Sequence, residues 1–173
     1  IMPENDFQLV LDRFKPFAGD LWLHHSGEPL LDKGLVRKVR LARTTMPDAR
    51  IGITSTLGVE KTAEEYDALW SNGLDRIQLS FYGYTPEQYA QVHGVDKYDL
   101  ARKNLEAILA SKERQKQGGE LFIRMMDLLR NNILGLPEKF YNKAHKFRNW
   151  IKTFPGASMF DTYLMSYAGH NPD

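Results

Sequence analysis

Apolar residues at Phe7, Val10, Leu11 and Phe14 recur three and four positions apart, the spacing that lines one face of a helix. Gly19-Asp20 closes that segment, and Leu21-Trp22-Leu23-His24 follows as an apolar run of strand length. Pro29 lacks the N–H that a sheet ladder needs, so the strand stops before it. Leu35, Val39, Ala42 and Met46 predict a second helix, with Arg37, Lys38, Arg40 and Arg43 as its solvated basic face. Arg50-Ile51-Gly52-Ile53-Thr54 reads as a second strand. Thr62-Ala63-Glu64-Glu65 has the form of a capping box, in which Thr62 accepts from the third amide and Glu65 reaches back. The helix it opens carries Tyr66, Leu69 and Trp70 inward and leaves at Asn72-Gly73, where glycine tolerates the left-handed exit.

Arg76 to Ser80 reads as a third strand, and Thr85-Pro86-Glu87-Gln88 as another capping box with proline at the first helical position. Tyr98, Ala101, Leu105, Ile108 and Lys112 predict one long helix that closes by Gly118-Gly119. Leu121 to Met126 is a fourth strand. Pro137 opens a helix with Phe140, Ala144, Phe147, Ile151 and Phe154 inward, Pro155-Gly156 ends it, and Met159 to Met165 is a fifth strand. Alternating strands and helices imply βαβ units, a parallel sheet and right-handed crossovers. No boundary interrupts the alternation, so residues 1–173 read as one domain. Periodicity alone fits either a barrel or a doubly wound sheet. Five strands would leave a barrel incomplete, which suits a piece of a larger one.

Composition narrows the chemistry. With 42% hydrophobic and 26% charged residues the chain is of ordinary globular make-up. A net charge of +1 supplies no electrostatic reason to expect nucleic acid or an anionic membrane as partner. No apolar run is long enough to span a bilayer, and Ile1-Met2-Pro3-Glu4 has no secretory pattern, so the default expectation is cytoplasmic. The cysteine count of 0 removes disulfides, thiolate metal sites and thiol nucleophiles from this chain. His24 and His25 are strand neighbours that point to opposite faces, so they do not predict a shared metal. Neither a metal site nor a catalytic residue is predicted within these residues.

In parallel α/β architectures ligands bind at the carboxyl ends of strands. In chain order the candidates are Ser26-Gly27-Glu28-Pro29, then Ser55-Thr56-Leu57-Gly58, then Ser80, then Arg124 within its strand, then Tyr167-Ala168-Gly169. One carboxylate, one guanidinium and several hydroxyls suit a small zwitterion that also bears hydroxyls. Glu28 can accept from an ammonium, and Arg124 can hold a carboxylate in a planar fork that lysine lacks. The plainer reading of Glu28 is a loop carboxylate that caps the next helix.

These segments resemble a known family. Gly27-Glu28-Pro29-Leu30-Leu31 after a strand looks like the GEPLL form of the GGE motif in the radical S-adenosylmethionine superfamily. Thr56-Leu57-Gly58 stands where many of its members have Thr-Asn-Gly. Ile77-Gln78-Leu79-Ser80-Phe81-Tyr82-Gly83, with Pro86-Glu87-Gln88-Tyr89 and His93-Gly94 behind it, is similar to the stretch around the family's next strand. Tyr98-Asp99 to Leu105-Ile108-Leu109 resembles the helix that follows. Tyr167-Ala168-Gly169-His170 resembles the segment before the cysteine-rich extension of the SPASM or twitch subgroup.

The resemblance implies an α/β fold: a partial (βα)6 TIM-like barrel with a parallel sheet, whose first βα unit is incomplete here. It implies S-adenosylmethionine bound at the strand ends against a 4Fe-4S cluster, and a 5′-deoxyadenosyl radical that takes hydrogen from a peptide or small-molecule substrate. Flavodoxin or ferredoxin would supply the electron. By the same resemblance Gly27, Glu28 and Pro29 meet the methionyl amino group, Ser80 the ribose and Arg124 the carboxylate, while Thr56 lines the pocket. His24, Tyr82 and Tyr167 are candidates for the substrate side.

Ser26 and Leu57 depart from the family's Gly and Asn. The family's three-cysteine loop precedes the first helix, and the subgroup's other cysteines follow the last segment, so both are expected outside this chain. As it stands, the chain is not expected to hold the cluster. The alternative is a cluster-less scaffold or binding subunit. A phosphate-binding barrel would need a glycine-rich loop opening a helix, whereas Gly118-Gly119 precedes a strand.

Overall fold

The computed structural model describes residues 1–24, 26–81, 83, 85–127 and 149–163, with the backbone alone for 124–127 and 158–163. Its elements are α1 (Glu4–Phe14), β1 (Asp20–Trp22), a 3₁₀ turn (Pro29–Leu31), α2 (Leu35–Thr45), β2 (Arg50–Ser55), α3 (Ala63–Ser71), β3 (Arg76–Ser80), α4 (Pro86–His93), α5 (Tyr98–Ala110), α6 (Lys112–Gln117), β4 (Glu120–Asp127) and β5 (Ser158–Tyr163). The strands form one parallel sheet in the order β1-β2-β3-β4-β5. That order decides what periodicity left open. A doubly wound sheet reverses direction at a switch point. Here each strand pairs with the next in sequence, as in a barrel wall, and the fold is α/β of the partial TIM-like kind.

Strand alternation sorts the side chains into two faces. Ile51 and Ile53 of β2, Ile77 and Leu79 of β3, and Leu121 and Ile123 of β4 are buried. They join Val39 and Ala42 of α2, Tyr66 and Trp70 of α3, and Ala101, Leu105 and Ile108 of α5 in one core. The opposite, concave face is layered by register. Trp22, Gly52, Arg76 and Glu120 form one row, and Thr54, Gln78, Phe122 and Ser158 the next. In the first row the Arg76 guanidinium lies 4.3 Å above the Trp22 ring and 2.7 Å from Asp20. Gly52 is required there, because a Cβ would sit 2.8 Å from the Trp22 ring.

Several expectations need correction. The helix predicted from Tyr98 to Gly118 is broken into α5 and α6. Ser111 leaves helical geometry (ψ 119°), its Oγ accepts from Arg114 N at 3.0 Å, and it also bonds the Asp67 carboxylate. A serine able to cap outcompetes helix continuation once tertiary structure supplies it a second partner. β1 is confined to Asp20–Trp22, so His24 lies just beyond it. Of the α1 stripe only Leu11 is buried; Val10 and Phe14 stay exposed, because α1 packs on α2 with only part of its apolar face. The basic face of α2 is not uniformly solvated. Lys38 is buried against Asp32 at 2.5 Å, and Arg43 reaches Asp75 and the carbonyls of Pro47, Ala49 and Gly73. A buried cation persists only where such partners neutralise it. The capping box at Thr62 is present in full, and at Thr85 the Gln88 amide donates to the threonine hydroxyl. The helix predicted from Pro137 lies mostly outside the described residues.

Candidate functional site

Glu28 follows β1 and caps the 3₁₀ turn. Its Oε1 accepts from Leu30 N at 3.1 Å, and its Oε2 accepts from both Thr56 N and Thr56 Oγ1 at 2.8 Å. The capping reading of Glu28 is therefore real, and it does not use up the group. An ionised carboxylate offers about four lone-pair directions, and three protein donors leave one on Oε1. Gly27 has φ +97°, a left-handed conformation that glycine adopts without strain, and a Cβ there would meet nothing within 4 Å. Pro29 is buried at the first position of the turn, which its ring pre-shapes.

The register joins the other candidates to this pair. Ser55 sits beside Leu79, so Thr56 leaves β2 next to the place where Ser80 ends β3, and Ser80 is paired with Arg124 across β3 and β4. Ser80 is buried, and its carbonyl accepts from the His93 ring. Glu28, Thr56 and Ser80 thus follow or end β1, β2 and β3 at the carboxyl edge of the sheet, and the Arg124 backbone stands level with Ser80 inside β4 (Glu120–Asp127). His24 lies on the same rim, where its Nδ1 accepts from Thr54 N at 3.3 Å. Tyr82 and Tyr167, named as substrate-side candidates, and His25 lie outside the described residues. Among the described residues no group of three metal-capable side chains occurs.

Sequence reading missed the residues that hold this rim. The loop after β2 makes no sheet ladder, and side chains from α4, α5 and the turn between them bind its carbonyls. Tyr89 OH donates to Thr56 O at 3.2 Å and Lys97 Nζ to Gly58 O at 2.9 Å. Asn104 Nδ2 donates to Leu57 O at 2.8 Å and to Val59 O at 2.9 Å. Leu57 itself is fully buried with φ +56°, a left-handed conformation in which asparagine is commoner than leucine. One signal for Asn104 was visible: it falls on the apolar stripe of α5 between Ala101 and Leu105, and a buried amide must find partners.

The electrostatics centre on Glu28. Burial pushes the Tyr89 phenol up to about 12, and the Glu28 charge adds to the rise; Tyr66 is raised by burial and by the charges of Glu28 and Glu65. Both phenols stay neutral at ordinary pH, and that of Tyr89 donates to Thr56 O. Burial holds the His93 imidazole below its usual value, against a smaller opposing effect of its bond to Ser80.

Two concavities lie on the helical side. A groove of about 770 Å³ runs between α5, α6 and Trp150–Pro155, and a pocket of about 160 Å³ sits between the 3₁₀ turn, α2 and α3. Neither is lined by Glu28, Thr56 or Ser80.

No family model matches the chain. It is 28% identical over 151 residues to a GTP 3′,8-cyclase of Shewanella denitrificans, covering 87% of this chain and 40% of that relative. It also resembles the solved structure of BtrN in complex with AdoMet and 2-DOIA, with a TM-score of 0.52, 22% identity, and coverage of 80% of this chain and 52% of BtrN. The chain thus spans less than half the length of the curated relative. The likeness to BtrN is one of fold, and it agrees with the partial α/β barrel described above.

Proposed function

We propose that this chain is the S-adenosylmethionine-binding wall of a radical S-adenosylmethionine enzyme. The observation that supports the reading is the Glu28–Thr56 pair at the ends of β1 and β2, with Ser80 ending β3 level with the Arg124 backbone, in a parallel sheet wound in sequential order. The open lone pair on Glu28 Oε1 accepts from the methionyl ammonium, with the Gly27–Pro29 turn beside it. Ser80 supplies a hydroxyl to the ribose, and the Arg124 guanidinium takes the methionyl carboxylate. Thr56, held by Glu28, borders the same pocket, and His24 faces the substrate side.

An iron–sulfur cluster is held by thiolates, and this chain has no cysteine. The residues present therefore do not fit the cluster, and in this reading its ligands come from elsewhere in the complete protein. Generation of the 5′-deoxyadenosyl radical, delivery of the electron by flavodoxin or ferredoxin, and hydrogen abstraction from a peptide or small molecule are proposals for that complete protein. The absence of cysteine also favours a second reading, a barrel that binds without catalysis. Iron and sulfide content of the complete protein separates the two, since a bound cluster removes the scaffold.

Calorimetric titration with S-adenosylmethionine tests the binding itself. Saturable binding is expected, weakened about tenfold in Arg124→Lys because the planar fork is lost, and to a smaller extent in Ser80→Ala. A wild-type chain that does not bind, or equal affinity in both variants, refutes the reading.

A further inference from the structure

Among the described residues, the loop at Thr56–Val59 is held by side chains and not by a backbone sheet ladder. Its inward amides go to side chains of its own rim: Thr56 N to Glu28, Leu57 N to Ser55 Oγ at 2.9 Å, and Gly58 N to Thr56 Oγ1 at 3.3 Å. Its carbonyls go outward, to Tyr89, Asn104 and Lys97. Asn104 is 1% exposed and is the only one of these three that binds two carbonyls, bridging residues on either side of Gly58. The left-handed Leu57 stands between the two ties that start at Thr56 and Asn104. A polar network satisfied at this many members is rigid, and one unpaired member in it is costly.

We infer that Asn104, seconded by Lys97 and Tyr89, is a positioning residue: it fixes the loop after β2 so that Thr56 holds the Glu28 carboxylate with one oxygen lone pair turned to the ligand. The path is short. Asn104 fixes Leu57 O and Val59 O, Tyr89 fixes Thr56 O, and the peptide thus held presents Thr56 N and Oγ1 to Glu28 Oε2. With Oε2 doubly engaged and Oε1 engaged once by Leu30 N, the carboxylate cannot rotate without breaking a bond. The site is then built before the ligand arrives, and binding need not order it. Two of these ties come from α5 and one from the turn before it, so α5 reaches the Glu28 carboxylate through the loop.

The inference rests on the proposed ligand, and the experiment separates the two. Amide exchange is measured by NMR on wild type, Asn104→Leu and Lys97→Met. S-adenosylmethionine is then titrated into each, with and without Glu28→Gln. Lys97 is exposed, so Lys97→Met folds even where Asn104→Leu does not. Exchange at Leu57 and Gly58 is expected to rise about tenfold or more in Asn104→Leu and less in Lys97→Met. Affinity is expected to fall about tenfold in Asn104→Leu. Glu28→Gln should weaken binding less in either clamp variant than in wild type, a coupling that mere loss of stability would not produce.

Unchanged loop exchange, or full additivity with Glu28→Gln, overturns the positioning role. If the wild type does not bind S-adenosylmethionine, the ligand assignment fails and the exchange data decide alone. Deprotection of Thr56 to Gly58 in the clamp variants then sustains the held loop, and its absence overturns it.

Discussion

Replacing Glu28 by alanine removes three hydrogen bonds from one carboxylate, those to Leu30 N, Thr56 N and Thr56 Oγ1. A typical intramolecular hydrogen bond contributes about 1 kcal/mol net, which gives about 3 kcal/mol for the set. Glu28 is half-buried, so water reaches part of what is exposed and the expected loss shrinks to about 2 kcal/mol. Glu28→Gln should cost about half as much. Its amide oxygen can take the place of Oε2 and keep both Thr56 donors, while its NH₂ then faces the Leu30 N–H, donor against donor. Thr56→Ala loses only the hydroxyl donor and should cost about 1 kcal/mol, and Thr56→Ser should be close to neutral because the hydroxyl remains. Urea unfolding followed by tryptophan fluorescence gives the free energies, with an unchanged slope required before midpoints are compared. The double variant Glu28→Ala/Thr56→Ala should fall short of the sum of its parts, since both remove the same bond. A Glu28→Ala chain within about 0.5 kcal/mol of wild type would show that the carboxylate is not held. It would remove the physical basis for both the binding site and its clamp.

Two further outcomes follow from the same geometry. Because burial keeps the folded-state pKa of His93 below its ordinary value, the unfolded chain binds the proton more tightly. The stability that His93 contributes is complete above about pH 6.5 and declines as the pH drops from there through the folded-state value. Urea midpoints taken along that range should fall, and fall less steeply in His93→Phe; equal slopes would discard the assignment. Ser111→Ala should cost about 2 kcal/mol, roughly 1 from the lost α6 cap and the rest from leaving Asp67 without its hydroxyl partner, while Ser111→Thr keeps most of it. A thermal midpoint unchanged in Ser111→Ala would mean that the α5–α6 break has another cause.

Local chemistry was legible wherever it acts within a few residues. The Thr62 box, Pro86 at the start of α4 and the bounds of β3 could be read directly, since capping and strand patterning need only neighbours in sequence. The meeting of Glu28 and Thr56 could be anticipated for a different reason: a parallel sheet sends the loops after neighbouring strands to the same edge. Lys38 and Ser111 were misread because their partners, Asp32 and Asp67, decide between solvent and interior only once α2 and α6 are docked.

The amino-acid sequence by itself determined the alternation of strand and helix, the inward faces, the lack of thiolate ligands, and a carboxylate and a hydroxyl placed after strands with a guanidinium inside one. The tertiary structure alone decided that the strands pair in sequential order, that Glu28 spends three of its lone pairs on its own chain, and that Asn104 holds a loop 47 residues before it. The reason is the range of the forces. Periodicity and capping are set by backbone geometry over a few residues, whereas the partner of a buried polar group is whichever distant donor or acceptor the packed core brings within hydrogen-bond reach.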